Sequence, residues 1–574
     1  MPRYDDLRVR RLGRERRLFE RGPDGPVSVC LVYPNYYPVA MANLGYQSVF
    51  RQLVQDPRVT ADRCYLPDGP RRAWPRLLRS FESDRPVADF DVLAFSISFE
   101  TDYVHVLACL ALAGLALRSD ARDGRAPLVL AGGPATFLNP EPIAPFVDLF
   151  LIGEAEPMLP AFLAAICDGA RDRDARLEAA EAVAGAYRPS RHRPVYGADD
   201  RLARVDYDGP STARVTRQYA PSLDAFETTS EVLTPDAVFG DMYMVEASRG
   251  CEWGCRFCAA GFMYRPVRYR SETRLRAQAK AGLAERSTIG LVGAEMASQP
   301  GIASLCRSIV AAGGRASPSS LKADIITPAL ADALGAGGNR SVTVAPEAGS
   351  ERLRRVINKN LTEGEILRAA EWVVGGGVDA LKLYVMVGLP TETPADVDAI
   401  TTLVERVRSR LVSGGRPTVG RIVVSVNGFV PKPWTPFQWE PMAELRVLKR
   451  TLSRVRRSLA GVPAVEVETE SPREAYLQTL LSRGDRRVAD ILVRLHERPE
   501  DWWSVLSALR RDPQGGVSPD DFVHRRYESD EVLPWDFIDH GVDKRYLVAE
   551  RRKAFHELQT PPCDTHTCQT CGAC

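Results

Sequence analysis

Three cysteines stand in the segment Ser248-Arg249-Gly250-Cys251-Glu252-Trp253-Gly254-Cys255-Arg256-Phe257-Cys258, with the spacing C-x3-C-x2-C. Thiolates hold iron–sulfur clusters, and a cubane of four irons takes four ligands. Three cysteines on one short loop leave one iron without a protein ligand, an open position that a cofactor can occupy. Gly250 and Gly254 let the loop curl and bring backbone N–H groups near cluster sulfurs. Two blander readings stay open: zinc with a distant fourth ligand, or three unligated surface thiols. Zinc knuckles usually pair C-x2-C with a second such pair. A reducing cell gives little reason to gather free thiols.

A second group follows the spacing C-x4-C-x2-C-x2-C, with Cys563, Cys568, Cys571 and Cys574. Pro561-Pro562 break it from what precedes. Four thiolates within 12 residues suit an auxiliary iron–sulfur cluster, a structural zinc, or a redox-active or disordered thiol tail. His566 lies inside the run as a substitute ligand. The other five cysteines, Cys30, Cys64, Cys109, Cys167 and Cys306, sit in apolar surroundings and read as buried, inert thiols.

The elements that must position these residues alternate between strand and helix. Candidate strands are 27–34, 91–98, 127–132 and 148–153, with helical patterns at 44–54, 75–82, 104–118 and 156–167. This alternation predicts a doubly wound parallel sheet over 26–168. Its ligands are expected at the carboxyl ends of the strands, in the loops 35–43, 99–103 and 132–139. A second series has candidate strands at 242–247, 288–293, 319–326, 341–346, 380–387 and 421–428. Six strand–helix units predict a partial (β/α)6 barrel over 239–440, with its site at the strand carboxyl ends. Cys251 follows the first of these strands. Residues 1–25 form a basic N-terminal segment, 169–238 a polar connector with a short hairpin near 195–206, 441–560 a mostly helical region, and 561–574 a Cys-rich metal-binding tail. The expected class is therefore α/β throughout, with helices dominating the C-terminal region.

Composition excludes several classes. The 574 residues are 45% hydrophobic and 26% charged, as in ordinary globular proteins, so collagen-like and grossly disordered readings fall away. Lys plus Arg is 75 against 74 for Asp plus Glu, which gives no general field for nucleic acid or anionic membrane. No apolar run reaches the ~18 residues of a membrane span. Residues 1–22 carry eight arginines and four acids with no apolar stretch after them, unlike an export signal. They read as a solvated helix or as a polyanion-binding arm. The expected location is cytoplasmic.

The C-x3-C-x2-C loop, with the aromatic Phe257 before its last cysteine and a barrel's first strand before it, resembles the radical S-adenosylmethionine (SAM) superfamily. The resemblance covers about 240–440 well. It implies that Cys251, Cys255 and Cys258 bind a 4Fe–4S cluster whose open iron is chelated by the amino and carboxylate groups of SAM. One electron then cleaves the sulfonium to methionine and a 5′-deoxyadenosyl radical, which removes a hydrogen atom from substrate. The protein aims the radical and excludes water. By the same resemblance Phe257 packs near the adenine. Glu295, in Gly293-Ala294-Glu295, stands where the family often has Gly-Gly-Glu against the methionine amino group, with the middle residue departing. Glu347 stands where polar contacts to the ribose or methionine part lie; a helix-start acid favoured by the dipole is its plainer reading. Gly388, in Val387-Gly388-Leu389-Pro390, resembles the stretch along the adenine. Lys382 points in or out by strand parity alone.

The N-terminal sheet ahead of such a barrel resembles the cobalamin-binding radical enzymes, through residues 29–50, 130–142 and 149–162. The Asp-x-His-x-x-Gly motif of another cobalamin group is absent. His105 is the only histidine in the first 150 residues, in a helical stretch away from the first loop. Cobalamin without a histidine ligand, a domain for packing or substrate, and a different ligand all remain open. The whole layout resembles uncharacterised bacterial cobalamin-domain radical SAM proteins with a Cys-rich C-terminus. The carrying segments are 248–271, 345–359, 431–441, 481–488 and 533–542. The Arg-rich 483–488 reads as a substrate-facing patch or a solvated helix start.

The expected function is a radical SAM enzyme for methylation or another rearrangement of an unactivated carbon, with or without cobalamin. An electron donor such as flavodoxin or ferredoxin is implied, and no membrane partner. The substrate is a small molecule; the runner-up is RNA, since APEAGSERL and GLP also resemble the tRNA-modifying branch. Arg265, Arg268 and Arg270 would then meet phosphate, against an ordinary charged surface as the alternative. A non-catalytic iron–sulfur or regulatory protein is the reading from a different class.

Overall fold

The computed structural model describes residues 4–169, 172–210, 212–413, 420–513, 516–565, 567–568 and 570–573. The N-terminal sheet holds β1 (Val27–Tyr36), β2 (Val59–Leu66), β3 (Val92–Ser96), β4 (Leu128–Gly132), β5 (Leu149–Leu151) and β6 (Ala186–Tyr187). Their order is β2-β1-β3-β4-β5-β6, parallel except for the last pair. Both faces are covered, so the strands read as almost continuous apolar runs. Val27, Val29 and Leu31 of β1 enter one apolar cluster, while Cys30 and Val32 enter another on the opposite face.

Sequence reasoning missed β2 because Asp62 and Arg63 interrupt it. Both are buried and paired: Arg63 with Glu15 at 2.6 Å and Glu82 at 2.7 Å, Asp62 with the Ser80 hydroxyl. The helix expected over 75–82 is irregular chain instead. The hairpin of the connector is present, His192–Tyr196 against Leu202–Tyr207.

The second unit is an arc of parallel strands in two sheets. The first contains β7 (Met242–Glu246), β8 (Thr288–Val292) and β9 (Arg315–Pro318). The second contains β10 (Ser341–Glu347), β11 (Ala380–Val387), β12 (Ile422–Gly428) and β13 (Val465–Thr469). A single Leu321–Val344 bridge joins the sheets. The third strand lies earlier than the expected 319–326, which bends into a 3-10 turn at Ala323–Ile325. The seventh strand, β13, was not expected. It is an edge strand whose Glu466 and Glu468 are exposed, which hides its apolar alternation.

Helices cover the buried outer residues of the arc, such as Leu381, Leu383, Val385 and Val387 of β11. Lys382, Tyr384 and Met386 alternate onto the other, half-buried face. Lys382 pairs there with Glu468 at 2.8 Å. The C-terminal region is helical, as expected, apart from β13 and the short strand Ile538–Asp539. Among the described residues no helix is long and apolar enough to cross a membrane.

Candidate active site at the facing strand ends

The carboxyl ends of the N-terminal strands face the start of the arc across a cavity of about 540 Å³. Its inner end lies over Val29, Leu31, Ala94 and Leu130, beneath the helices Leu44–Gln55 and Ala155–Cys167. Its outer end reaches Met244, Ser248, Gly250, Tyr264, Val292 and Gly293. The volume is in the range of ligand pockets, and the position between β1 and β3 is the switch point of a doubly wound sheet. No histidine lines it among the described residues. His105 instead points its Nδ1 to the Pro34 carbonyl at 3.0 Å.

The loop of Cys251, Cys255 and Cys258 begins directly after this wall. Gly250 has φ +83°, and a Cβ there would lie 2.7 Å from the Tyr264 carbonyl, so only glycine turns the chain at this point. Cys255 is buried and the other two are partly covered. Burial raises all three thiols, Cys255 to about 11, and mutual repulsion adds to the rise at Cys251 and Cys255. A bound metal would supply the positive charge that holds thiolates at such a site. Among the described residues no three His, Cys, Asp or Glu side chains converge on one point suited to a single ion. A cubane places each thiolate on its own iron, so its ligands need no such point. The donor set fits a cluster with one open position.

Glu295, after β8, accepts N–H bonds from Ala297 at 2.7 Å, Ser298 at 2.8 Å and Lys322 at 3.2 Å. It stands near enough to Cys251 to raise that thiol. Glu347 closes β10 at φ +66°, with its carboxylate 3.6 Å from the Lys359 ammonium. Lys359 is buried and faces all three cysteines as well. Sequence reasoning missed Lys359, whose only signal was its place in the APEAGSERLRRVINK segment. Lys322 was also missed: it is buried, pairs with Asp324 and lies 3.7 Å from the Trp253 ring centre.

Phe257 packs beside Ile357, Leu389, Phe429 and Phe437. Gly388 lies in the same turn as Leu389, at φ +79°, but a Cβ there would meet Leu448 at 2.7 Å. Its N–H donates to the Glu392 carboxylate. The glycine thus answers to backbone conformation and to the packed helix Leu445–Leu459.

The arginines expected to meet phosphate or solvent are buried struts. Arg265, Arg268 and Arg270 are only 4%, 7% and 1% exposed. Arg268 binds Glu154 at 2.6 Å, and Arg270 donates to the carbonyls of Glu246, Leu223 and Phe226. Arg249 reaches from the cysteine loop to Glu154, Glu156 and Glu246. Burial alone would raise Glu154, yet Arg268 and Arg249 outweigh it and hold the carboxyl below its usual range.

Arg483 is fully buried on the carbonyls of Phe522 and Arg525. Arg486 binds Glu141 of the N-terminal domain at 3.0 Å. The N-terminal arginines are likewise spent on their own chain, Arg11 on Asp68 at 2.6 Å and Arg14 on Asp236 at 2.7 Å.

Of the tail cysteines, Cys571 is buried and Cys563 and Cys568 are partly covered. Cys574 and His566 lie outside the described residues.

The family described as "Radical SAM superfamily" matches residues 245–404, and "Radical SAM proteins, N-terminal" matches 45–189. The chain belongs to the radical SAM superfamily and is a radical SAM enzyme. Within that class it is 28% identical over 433 residues to the uncharacterised protein MJ0966 of Methanocaldococcus jannaschii, covering 74% of this chain and 84% of that one. Among solved structures it is similar to the radical SAM methyltransferase TsrM from Kitasatospora setae, with tryptophan substrate and a SAM analogue bound. That likeness has TM-score 0.48 at 14% identity, over 93% of this chain and 96% of that one. It is also similar to the cobalamin-dependent radical SAM enzyme OxsB, with TM-score 0.46 at 13% identity, over 92% and 79%.

Proposed function

We propose that the chain cleaves SAM at a 4Fe–4S cluster held by Cys251, Cys255 and Cys258, and acts with a corrinoid in methylating or rearranging an unactivated carbon. The observation that carries the corrinoid part is the cavity. It runs from beneath the N-terminal helices to the residue before Cys251, so a ligand held over the sheet would lie next to the cysteine loop. Among the described residues its lining offers no histidine, so the site would hold a corrinoid by shape and not through an imidazole of its lining.

When bound, the cluster supplies one electron to the SAM sulfonium, and the corrinoid supplies or relays a carbon group. The chain's own residues do the rest. Glu295, near Cys251, would hold the methionine amino group of SAM and Glu347 its ribose or methionine part, and the Lys359 ammonium would balance charge beside the thiolates. Phe257 and Leu389 supply an apolar wall. Arg249 ties the cysteine loop to Glu154 and Glu156 of the N-terminal domain, which holds the two sites against each other.

RNA as substrate loses its expected phosphate contacts, because Arg265, Arg268 and Arg270 are buried. A small molecule is the substrate reading retained.

The test is anaerobic purification from cobalamin-fed cells, followed by iron, sulfide and corrinoid analysis and an assay of SAM cleavage. Cluster, corrinoid and 5′-deoxyadenosine or S-adenosylhomocysteine together are expected. Full cluster loading with no corrinoid would remove the second half of the proposal.

A further inference from the structure

We propose that Cys563, Cys568 and Cys571 hold a second iron–sulfur centre, and that electrons enter the Cys251 loop through it. The inference rests on that loop being the SAM-cleaving cluster site. The first observation is how the tail docks. The Cys563 N–H donates to the Glu252 carbonyl at 2.8 Å, one residue from Cys251. Asn358 is buried and bridges the same two pieces: its Nδ2 donates to the Gly254 carbonyl at 3.0 Å, and its Oδ1 accepts the Thr560 N–H at 2.8 Å. Arg256, between Cys255 and Phe257, is fully buried and donates to Glu550 at 3.1 Å and to the Leu558 carbonyl at 2.7 Å. The approach to the tail is therefore fastened to the cysteine loop itself.

The second observation is that two of the tail thiols touch each other and the third docks on Arg265. Cys568 is in hydrogen-bond contact with Cys563 and with the Thr570 hydroxyl. Cys571 is 2% exposed; it contacts the Arg265 side chain, and its carbonyl accepts the Asp543 N–H at 2.8 Å. Arg265 in turn donates to the Gly261 carbonyl at 2.6 Å, just beyond Cys258. A tail of small polar residues has no core of its own, and metal ligation is a common source of order for such a segment. A tether would need none of these thiols.

Adjacent Cα atoms are about 3.8 Å apart, so with the Cys563 N–H on the Glu252 carbonyl the backbones of Cys251 and Cys563 stand within about 10 Å of each other. Direct electron transfer is fast over such a gap. Asp564, Thr567 and Thr570 leave the outer side of the tail exposed to a donor. The step balances with one electron. A donor of the flavodoxin or ferredoxin class loses it, the tail centre takes it up and is reoxidised by the loop cluster. The electron is spent in breaking the sulfonium–C5′ bond of SAM, and no proton moves.

The experiment uses full-length protein, purified anaerobically and reconstituted with iron and sulfide. Wild type should hold about eight irons per chain, and a C568S/C571S variant about four. C568S alone touches a partly exposed residue and guards against misfolding; it should lose the same centre. C251A/C255A/C258A should keep about four irons, with their own paramagnetic signal on reduction. SAM cleavage driven by reduced flavodoxin should fall roughly tenfold or more in C568S/C571S, while cleavage driven by dithionite should change by less than about twofold. One zinc per chain lost with iron unchanged, or equal metal in wild type and both tail variants, would overturn the inference. Iron retained by the loop triple variant but absent from C568S/C571S would instead sink the reading of the loop, so the two failures are distinguishable.

Discussion

The two strand-end surfaces that face each other across the cavity are dressed in opposite ways. On the N-terminal side the wall is small and apolar, with Ala94, Ala131, Gly132 and Leu130 around the space. On the barrel side the cysteines are ringed by Glu295, Glu347, Lys359 and Lys322. One side can recognise a ligand by shape, the other by ligation and charge. The charged groups of the N-terminal side, Glu154 and Glu156, are consumed in binding Arg249 and Arg268. The difference matches the proposed division, in which the first domain would be a seat and the second a reaction centre, with the arginines as the joint between them.

Removing ligation should have the largest effect. C251A/C255A/C258A is expected to lose the loop cluster and bring SAM cleavage below detection, because thiolates are the only strong iron ligands on that loop. Corrinoid retention by the same variant would sharpen the contrast; loss of both ligands would break it. Next in size is filling the seat. Ala94→Trp places an indole in the cavity, at a folding cost of about 1–3 kcal/mol. Corrinoid binding should disappear, while cleavage of SAM without substrate continues. Unchanged corrinoid content in A94W would show that the cavity is not the seat.

What was legible beforehand follows the same division. Ligation depends on residue type at fixed spacing, so Cys251, Cys255 and Cys258 stand out in the chain as candidate ligands. The domain order and most strands were legible because parallel strands buried on both faces are long apolar runs. The β2 strand was hidden by Asp62 and Arg63, whose partners Ser80, Glu82 and Glu15 lie 15 or more residues away. The buried arginines misled for the same reason: Arg268 looks solvated until Glu154, 114 residues earlier, is folded against it. Lys359 meets Glu347 only through a turn with Asn358 and Asn360 at positive φ, which no periodicity announces. Shape was not legible at all, since the cavity is made of ordinary core residues.

The joint itself gives a third, smaller effect. Glu154 is 5% exposed and is shared by Arg268 and Arg249, with Arg217 at 3.8 Å. Glu154→Gln leaves those cations short of a counter-charge, which should cost about 3 kcal/mol in chemical denaturation near neutral pH. The sign with pH follows from its lowered folded value. Its contribution is present above the unfolded carboxylate value and is lost as pH falls through the folded one. Wild type and E154Q should therefore converge in stability in acid. A constant gap down to pH 2 would mean that the charge does not matter and that only packing was disturbed.

The smallest effect comes from a carboxylate on the barrel side that has the opposite surroundings. Glu392 accepts the Gly388 N–H at 2.9 Å, and among the described residues no cation pairs with it; burial pushes its carboxyl up to about 7. Here the folded state binds the proton more tightly than the unfolded chain. The group's contribution is then fully present below its ordinary value of 4.5 and is lost as pH rises to about 7. The full shift corresponds to roughly 3 kcal/mol, and partial exposure to solvent reduces it to about 1–2 kcal/mol. Glu392→Gln keeps an oxygen for Gly388 and removes the titration. E392Q should gain that amount over wild type at pH 8 and nothing at pH 4, the mirror image of E154Q. The measurement is the urea midpoint of both proteins across pH 4–8. A gap that stays flat through this window, or one that opens toward acid, would show that the two sides of the cavity do not differ electrostatically as described.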